Sequence, residues 1–188
     1  MRHACRHGHG RLEPVRRFRA ALARSDRLAD QLGISFSRLE SKALVTKGEY
    51  QGHRIILAKP QTYMNLSGQA VGSLARFYKI PHENLIVAYD DVDLPLGSLR
   101  LRPGGGSAGQ KGMTSIIDTL GTKDFPRLRF GIGRPPGRMD AAKYVLKDFS
   151  ESEREFLDPT LEQAADALLT FITSGLDEAM NRYNRGGE

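Results

Sequence analysis

The chain has 188 residues, of which 39% are apolar and 27% are charged. Such a length and composition are typical of a single soluble domain with a sizeable core. No apolar run approaches the roughly 20 residues that a membrane-spanning helix needs, so an integral membrane protein is excluded. A single cysteine, Cys5, excludes an intramolecular disulfide framework. We therefore predict a cytoplasmic protein without membrane association.

The net charge of +6 is concentrated at the start of the chain. Residues 1–25 hold seven arginines and one acid, whereas the other 163 residues hold 21 basic and 21 acidic side chains. The leader adds only nonspecific attraction to phosphate, so specific nucleic-acid binding needs a local basic patch on the body. We divide the chain into an atypical Arg/His-rich segment, residues 1–25, and one domain, residues 26–188.

The first predicted elements are a helix and a hairpin. Residues 1–14 lack periodicity and are interpreted as a flexible leader, although its histidines could bind a metal. Apolar spacing predicts a helix over residues 15–32 that ends at Gly33. Two β-rich runs, residues 43–46 and 54–58, flank the turn-prone Gln51-Gly52, which predicts paired strands.

The middle of the chain alternates helices with strands. A helix is predicted from Ser67 to before Pro81, followed by a continuous apolar run at residues 85–88, typical of a strand covered on both faces. Alternation in residues 98–102 predicts a half-exposed strand. A helix closed by Gly121 and a strand at residues 127–132 follow.

The C-terminal region is predicted to be helical. Asp158 and Pro159 form a plausible N-cap and first turn of a helix that ends at Gly175, and a short final helix covers residues 176–184. Strands alternating with helices predict an α/β fold: one domain with a mixed, mostly parallel sheet and helices on both faces.

A glycine loop matches the dinucleotide pattern G-x-G-x-x-G at residues 104–109. The match is weak, because the preceding strand alternates, whereas the dinucleotide fingerprint follows a buried strand that opens a βαβ unit. Nucleotide binding remains a third functional alternative. The glycines also permit close approach of a backbone to a ligand.

Three acids, Asp90, Asp91 and Asp93, follow the buried strand. They could bind magnesium or calcium, but capping of loops through backbone hydrogen bonds is the preferred interpretation. A third interpretation is a carboxylate that orients a histidine.

Two further groups of side chains could contact a substrate. Asn65 could be an N-cap, or its carboxamide could hold a water against an ester carbonyl. Tyr63 could stack on a base or simply pack. Four arginines at alternating spacing could form either a solvated sheet face or a phosphate clamp: Arg100, Arg102, Arg127 and Arg129.

Three segments together resemble bacterial-type peptidyl-tRNA hydrolases over residues 26–185. They are the segment Lys59-Pro60-Gln61-Thr62-Tyr63-Met64-Asn65-Leu66-Ser67-Gly68, the segment Tyr89-Asp90-Asp91-Val92-Asp93-Leu94-Pro95, and the glycine loop. The resemblance implies hydrolysis of the ester between a peptide and the 3′ ribose of tRNA, by a monomer that uses neither metal nor cofactor.

The resemblance also implies roles for particular residues. Asp90 matches the carboxylate that holds the catalytic histidine, and Asn65 the residue that positions water. Tyr63, Met64 and Asn65 fall in the substrate-binding motif. Arg102 and Arg129 match positions that grip the tRNA 5′-phosphate.

The chain departs from the family pattern at three places. Phe18 occupies the position of the catalytic histidine, and the apolar opening strand has no equivalent in the sequence. The His-Asn pair expected after the glycine loop reads Gln110-Lys111, so Lys111 is the candidate substrate contact there. The alternative function is an inactive tRNA-binding relative, and a misplaced gene start is a hypothesis for residues 1–25.

Overall fold

The computed structural model describes residues 20–135, 144–145, 147 and 149–184, with side chains from residue 25 onward. These residues form an α/β arrangement. The helices are α1 (Ala20–Gln31), α2 (Ser67–Phe77), α3 (Lys111–Leu120) and α4 (Glu151–Tyr183), with short 3-10 helices at Met64–Leu66 and His82–Asn84. The strands are β1 (Arg38–Glu40), β2 (Ala43–Tyr50), β3 (His53–Pro60), β4 (Val87–Asp91), β5 (Leu99–Arg102) and β6 (Arg127–Gly131).

The strands form two three-stranded sheets instead of the single sheet predicted. The first has the order β1-β2-β3 and is antiparallel throughout. The second has the order β4-β6-β5, in which β4 runs parallel and β5 antiparallel to β6. The predicted mostly parallel sheet is therefore wrong. The two-residue turn Gln51-Gly52 imposes antiparallel pairing, since parallel strands need a long crossover.

Helices lie on both sides of the second sheet, as predicted. On one side α1 and α4 pack on β5 and β6 around Leu28, Leu101 and Leu161. On the other side α3 contributes Met113 and Ile116 to a smaller cluster. The described part of the chain includes no helix that is both long and apolar enough to cross a bilayer.

Helix α2 packs against α3 with almost no separation. The amide of Gly68 donates to Ser115 Oγ at 3.0 Å. A Cβ placed on Gly68 would lie 2.1 Å from the Ser115 carbonyl oxygen, well inside van der Waals contact. Only glycine therefore fits at this crossing.

The predicted start of the C-terminal helix is wrong. Helix α4 begins at Glu151, where Ser150 and Glu153 form a reciprocal capping box that satisfies two backbone donors. Pro159 lies inside the helix instead of in its first turn. The predicted break at Gly175 is confirmed, because this residue has φ of 83° and separates two helical segments.

Candidate active site

A cavity of about 230 Å³ opens where β3 and β4 end. Its polar rim includes Thr62, Asp90 and Gln110, and its deeper wall is apolar. The turn that follows β3, the C-terminal end of β4 and the start of α3 thus meet at one place. These are three of the segments that the sequence singled out.

The turn after β3 presents its side chains outward. Tyr63 is 82% exposed and Met64 38%, and Asn65 is also exposed. Neither the 3-10 helix Met64–Leu66 nor α2 has a side-chain N-cap, so the interpretation of Asn65 as an N-cap is wrong. Asn65 and Tyr63 lie beside the cavity in sequence, but Met64 is the residue between them that lines it.

Gln110 joins this turn to α3. Its Oε1 accepts a hydrogen bond from the amide of Met113 at 2.6 Å, which caps α3. Its Nε2 lies 3.5 Å from Met64 Sδ. Lys111 is exposed in the first turn of α3, where its charge adds to the positive end of the helix dipole. An anionic group is therefore favoured at this position.

The three acids have different roles. Asp91 is buried; its Oδ2 accepts from Arg129 Nε at 2.7 Å and its Oδ1 from the amide of Asp93 at 2.9 Å. Asp93 in turn pairs with Arg134. Asp91 is therefore the loop-capping carboxylate, whereas Asp90 is half-buried and lines the cavity. The described residues contain no cluster of three metal-ligating side chains.

Arg129 remains a cation at any ordinary pH. Burial alone lowers the pKa of its guanidinium, but the hydrogen bond and charge of Asp91 outweigh burial, so the pKa lies above its usual value. Burial raises the pKa of the neighbouring Tyr89 hydroxyl, although the charge of Arg129 opposes this. The side chain of Arg129 is 21% exposed, which leaves a fixed positive charge at the sheet surface.

The four arginines lie on one face of two adjacent strands. The pairs opposed across β5 and β6 are Arg100 with Arg129 and Arg102 with Arg127. Arg127 is only 1% exposed and donates to the carbonyls of Gly106 at 2.6 Å and Lys123 at 2.9 Å. Arg127 therefore anchors the base of the glycine loop and is unavailable to a phosphate.

The glycine loop does not follow a dinucleotide-binding strand. β5, which precedes it, is an outer, antiparallel strand of its sheet, whereas the dinucleotide fingerprint follows a parallel strand of a βαβ unit. A Cβ on Gly106 would meet no atom within 4 Å. The rim of the loop is thus open to solvent above the anchor made by Arg127.

Arg127→Met is expected to destabilise the fold and loosen the loop. Two backbone carbonyls lose the charged donor that they share, which costs about 2–3 kcal/mol in free energy of unfolding. Urea denaturation measures this cost, and amide hydrogen exchange at residues 104–106 should accelerate. The matched control is Arg102→Met on the exposed side of β5, which should change stability by less than about 0.5 kcal/mol. Equal stability of the two variants would contradict the anchoring role.

The described residues place no histidine at the cavity. They contain His53 and His82, which are both exposed and absent from its lining. His53 lies at the start of β3, the end opposite the cavity. Phe18 and the three leader histidines lie outside the described residues.

Two structural contributions were missed in the sequence. Gln110 acts as the helix cap, and the signal for it was a polar residue directly before the apolar periodicity of α3. Thr62, at the end of β3, has a buried hydroxyl in the cavity wall, and no pattern distinguished this residue from its neighbours.

Comparison with known proteins identifies the family. A family profile described as peptidyl-tRNA hydrolase matches residues 16–188. A peptidyl-tRNA hydrolase from Carboxydothermus hydrogenoformans is 50% identical over 162 residues, 86% of each chain. A chloroplastic one from Arabidopsis thaliana is 51% identical over 160 residues, 85% of this chain and 56% of the relative.

Solved structures agree with these sequence relationships. The crystal structure of peptidyl-tRNA hydrolase from Acinetobacter baumannii superimposes with a TM-score of 0.85 at 31% sequence identity, covering 92% of this chain and 88% of that one. The profile, the relatives and the fold agree, and they extend through the segments that meet at the cavity. The chain belongs to the peptidyl-tRNA hydrolase family.

Proposed function

We propose that this chain hydrolyses the ester between a peptide and the 3′ ribose of tRNA, and so recycles the tRNA. The observation that carries the proposal is the meeting of three segments at one cavity, which is lined by Met64 of the turn after β3, by Asp90 of β4 and by Gln110, the residue before Lys111. Relatives that share about half of the sequence bear the corresponding name.

Asn65 and Asp90 act on the attacking water in this proposal. The carboxamide of Asn65 can donate to one group and accept from another, so it can hold water against the ester carbonyl. A general base takes the proton as the water oxygen bonds to the carbonyl carbon. The carbon–oxygen bond to the ribose then breaks, and the ribose oxygen leaves and is protonated. The role of Asp90 is to orient and charge-stabilise the base.

Cationic and aromatic groups bind the tRNA. Lys111 and the N-terminal end of α3 face the anionic 3′ end, and the exposed ring of Tyr63 is available to stack on a base or on the peptide. Arg102 and Arg129 would contact the 5′-phosphate. The ion pair with Asp91 fixes Arg129 in place, so little side-chain entropy is lost when phosphate binds.

A second candidate function is tRNA binding without hydrolysis. It is favoured by one observation of the sequence: Phe18 stands at the position that matches the catalytic histidine of the family. Such a relative would retain the basic groups and the cavity. The two candidates differ only in cleavage, so one substrate tests both.

Single-turnover hydrolysis of N-acetyl-aminoacyl-tRNA by the full chain is the deciding experiment. Cleavage that saturates with enzyme concentration supports the hydrolase, and tRNA binding without cleavage supports the inactive relative. The absence of both would contradict both. A variant with glutamine at His3, His7 and His9 tests whether the leader supplies the base; its loss of cleavage with unchanged tRNA binding would assign the base there.

We also propose that the protein is a monomer and that it acts in the cytosol on peptidyl-tRNA. The single cysteine supports a reducing compartment. The Arabidopsis relative is named chloroplastic, so fractionation of the source cells is the appropriate test of location. Light scattering of the purified full chain tests the monomer.

A further inference from the structure

The outer edge of β5 is paired with a side chain instead of a strand. In the described structure β5 is the last strand of its sheet and pairs only with β6. On its other edge the amide of Leu101 donates to Asn184 Oδ1 at 2.7 Å, and Asn184 Nδ2 donates to the Leu101 carbonyl at 3.1 Å. One carboxamide thus pairs with both backbone groups of Leu101, as a neighbouring strand would. We call these two hydrogen bonds the Asn184 clamp.

The clamp supplies hydrogen bonds that water cannot supply. Leu101 is 0% exposed, so its amide and carbonyl are out of reach of solvent. Buried backbone groups without a partner cost free energy of folding. An aliphatic side chain at position 184 would leave both groups unpaired, and an ionised aspartate could accept from the amide but could not donate to the carbonyl. The carboxamide is therefore suited to this position.

The helix end that carries Asn184 is itself held in place. The backbone amide of Asn184 donates to the Met180 carbonyl and ends α4. In the same segment Ala179 is fully buried. The Tyr183 hydroxyl lies 3.5 Å from Thr170 Oγ1, which belongs to the part of α4 before the break at Gly175. The position of the Asn184 carboxamide is therefore determined by a packed helical segment.

The clamp acts on the two peptide groups that flank Leu101. The Leu101 amide belongs to the peptide group that follows Arg100, and the Leu101 carbonyl to the peptide group that precedes Arg102. Because peptide groups are planar, hydrogen bonds to both restrict the backbone on either side of Leu101. Arg102 is also paired across the sheet with Arg127, so the backbone that carries Arg102 is held from both edges of β5.

The side chain of Arg102 depends on this backbone for its direction. Arg129 is fixed by its ion pair with Asp91. Arg102 is exposed and has no ion-pair partner within the described part of the chain. A long side chain without such a partner loses rotamer freedom when it binds a ligand. A rigid backbone limits this loss, because it restricts the volume that the guanidinium can reach.

We propose that Asn184 is a positioning residue for tRNA binding, whose clamp on Leu101 directs Arg102 toward the 5′-phosphate. The inference rests on the proposed function, from which the role of Arg102 comes. Asn184 acts through the backbone of β5 and does not itself bind the tRNA. Its substitution therefore weakens the part of tRNA binding that depends on the 5′-phosphate and leaves the chemical step unchanged.

The test measures, with the full chain, the dissociation constants of deacylated tRNA that has either a 5′-phosphate or a 5′-hydroxyl. The unaltered chain should bind the phosphorylated form at least about 10-fold more tightly, the effect of a hydrogen bond between charged groups. Asn184→Leu keeps the size of the side chain but removes both hydrogen bonds. It should reduce the preference to about threefold, because Arg129 remains, and leave binding of the hydroxyl form unchanged.

The matched control is Asn181→Leu. Asn181 lies on the same helical segment and is exposed, so this variant should keep the full preference for the 5′-phosphate. Asn184→Gln is the milder variant, since it keeps the donor and the acceptor on a side chain that is one methylene longer. It should show an intermediate preference, and it keeps the proposal testable if Asn184→Leu does not fold.

Two further measurements separate positioning from a general loss of structure. In hydrolysis of N-acetyl-aminoacyl-tRNA, Asn184→Leu should raise KM about threefold and leave kcat within about twofold, because binding and not chemistry is altered. Amide exchange at Leu101 should accelerate at least about 10-fold in the same variant, as expected when a local hydrogen bond is removed.

Several outcomes would overturn the proposal. These are an unaltered chain without preference for the 5′-phosphate, an Asn184→Leu variant that keeps the full preference, an equal loss of binding for both forms of tRNA, or a fall in kcat at unchanged KM. The binding measurement needs no cleavage. A preference that depends on Asn184 in a chain without hydrolysis would therefore support the clamp and contradict the hydrolase, whereas hydrolysis without the preference would do the reverse.

Discussion

Asp90→Asn is expected to reduce single-turnover hydrolysis of N-acetyl-aminoacyl-tRNA by roughly 100- to 10,000-fold, the range in which proton transfer assisted by a positioned side chain contributes. Asparagine preserves the size of the side chain but removes the negative charge that would stabilise a protonated base. Asn65→Ala should reduce hydrolysis by about 100-fold, because the water loses a preorganised partner. Both effects should appear in kcat.

Asp93→Asn is the matched control. Asp93 is another carboxylate of the same loop, but it pairs with Arg134 and does not line the cavity. Its hydrolysis should remain within about twofold, the scale of a surface substitution. The tRNA dissociation constant should be unchanged in all three variants. Equal loss in Asp90→Asn and Asp93→Asn would show that the loop acts through its fold and not through one carboxylate.

Gly131→Ala should unfold or severely destabilise the protein, at a cost of about 3 kcal/mol or more in free energy of unfolding. A Cβ at Gly131 would lie 1.9 Å from the Pro95 carbonyl oxygen and 2.5 Å from Ser98 Oγ. The loop cannot move away freely, because the amide of Gly131 donates to the Ser98 carbonyl at 2.8 Å. The backbone of β6 would therefore have to shift, and with it the adjacent Phe130.

Gly106→Ala tests whether the space available to a Cβ atom, and not the loss of a glycine as such, determines the change in free energy of unfolding. A Cβ at Gly106 meets no atom within 4 Å, and its φ is outside the left-handed region. Its free energy of unfolding should change by less than about 0.5 kcal/mol. Urea denaturation with a common m-value measures both variants. A stable Gly131→Ala protein would mean that the loop carrying Pro95 is not held against β6.

Local chemistry was sufficient to predict several elements of the fold. Gln51 and Gly52 both have positive φ and form the turn of the predicted hairpin. Gly121, with φ of 70°, ends α3 where the sequence placed its end. These features depend on a few neighbouring residues, so the sequence contains them directly.

The two errors in the predicted fold, the start of α4 and the arrangement of the strands, have different causes. The start of α4 was mispredicted because Asp158-Pro159 resembles a cap and first turn, whereas the helix begins at the capping box formed by Ser150 and Glu153. The sheet was mispredicted for a different reason. Alternation of strands and helices in the sequence does not determine which strands pair. The pairing depends on contacts between residues that are distant in the sequence.

Some features of the candidate site could be predicted from the sequence, and others could not. Asn65, Asp90 and Lys111 were predicted as site residues from sequence motifs of distinctive composition, which lie at or near the ends of helices and strands. The burial of Arg127 and the pairing of Arg129 with Asp91 could not be predicted, since they depend on the register of β5, β6 and β4. Four arginines that look equivalent in the sequence therefore differ. Arg127 is a buried anchor, Arg129 pairs with Asp91, Arg100 is half-buried and Arg102 is exposed.

The close contact between α2 and α3 at Gly68 fixes the width of the mouth of the site. α2 begins at Ser67, two residues after Asn65, and α3 begins at Lys111. The spacing of the Asn65 and Lys111 side chains therefore depends on how closely the two helices cross. At Gly68 that closeness is determined by main-chain atoms, which are the same for every amino acid. Substitutions elsewhere on the two helices can therefore accumulate without widening the mouth, whereas a single methyl group at Gly68 would reset its width.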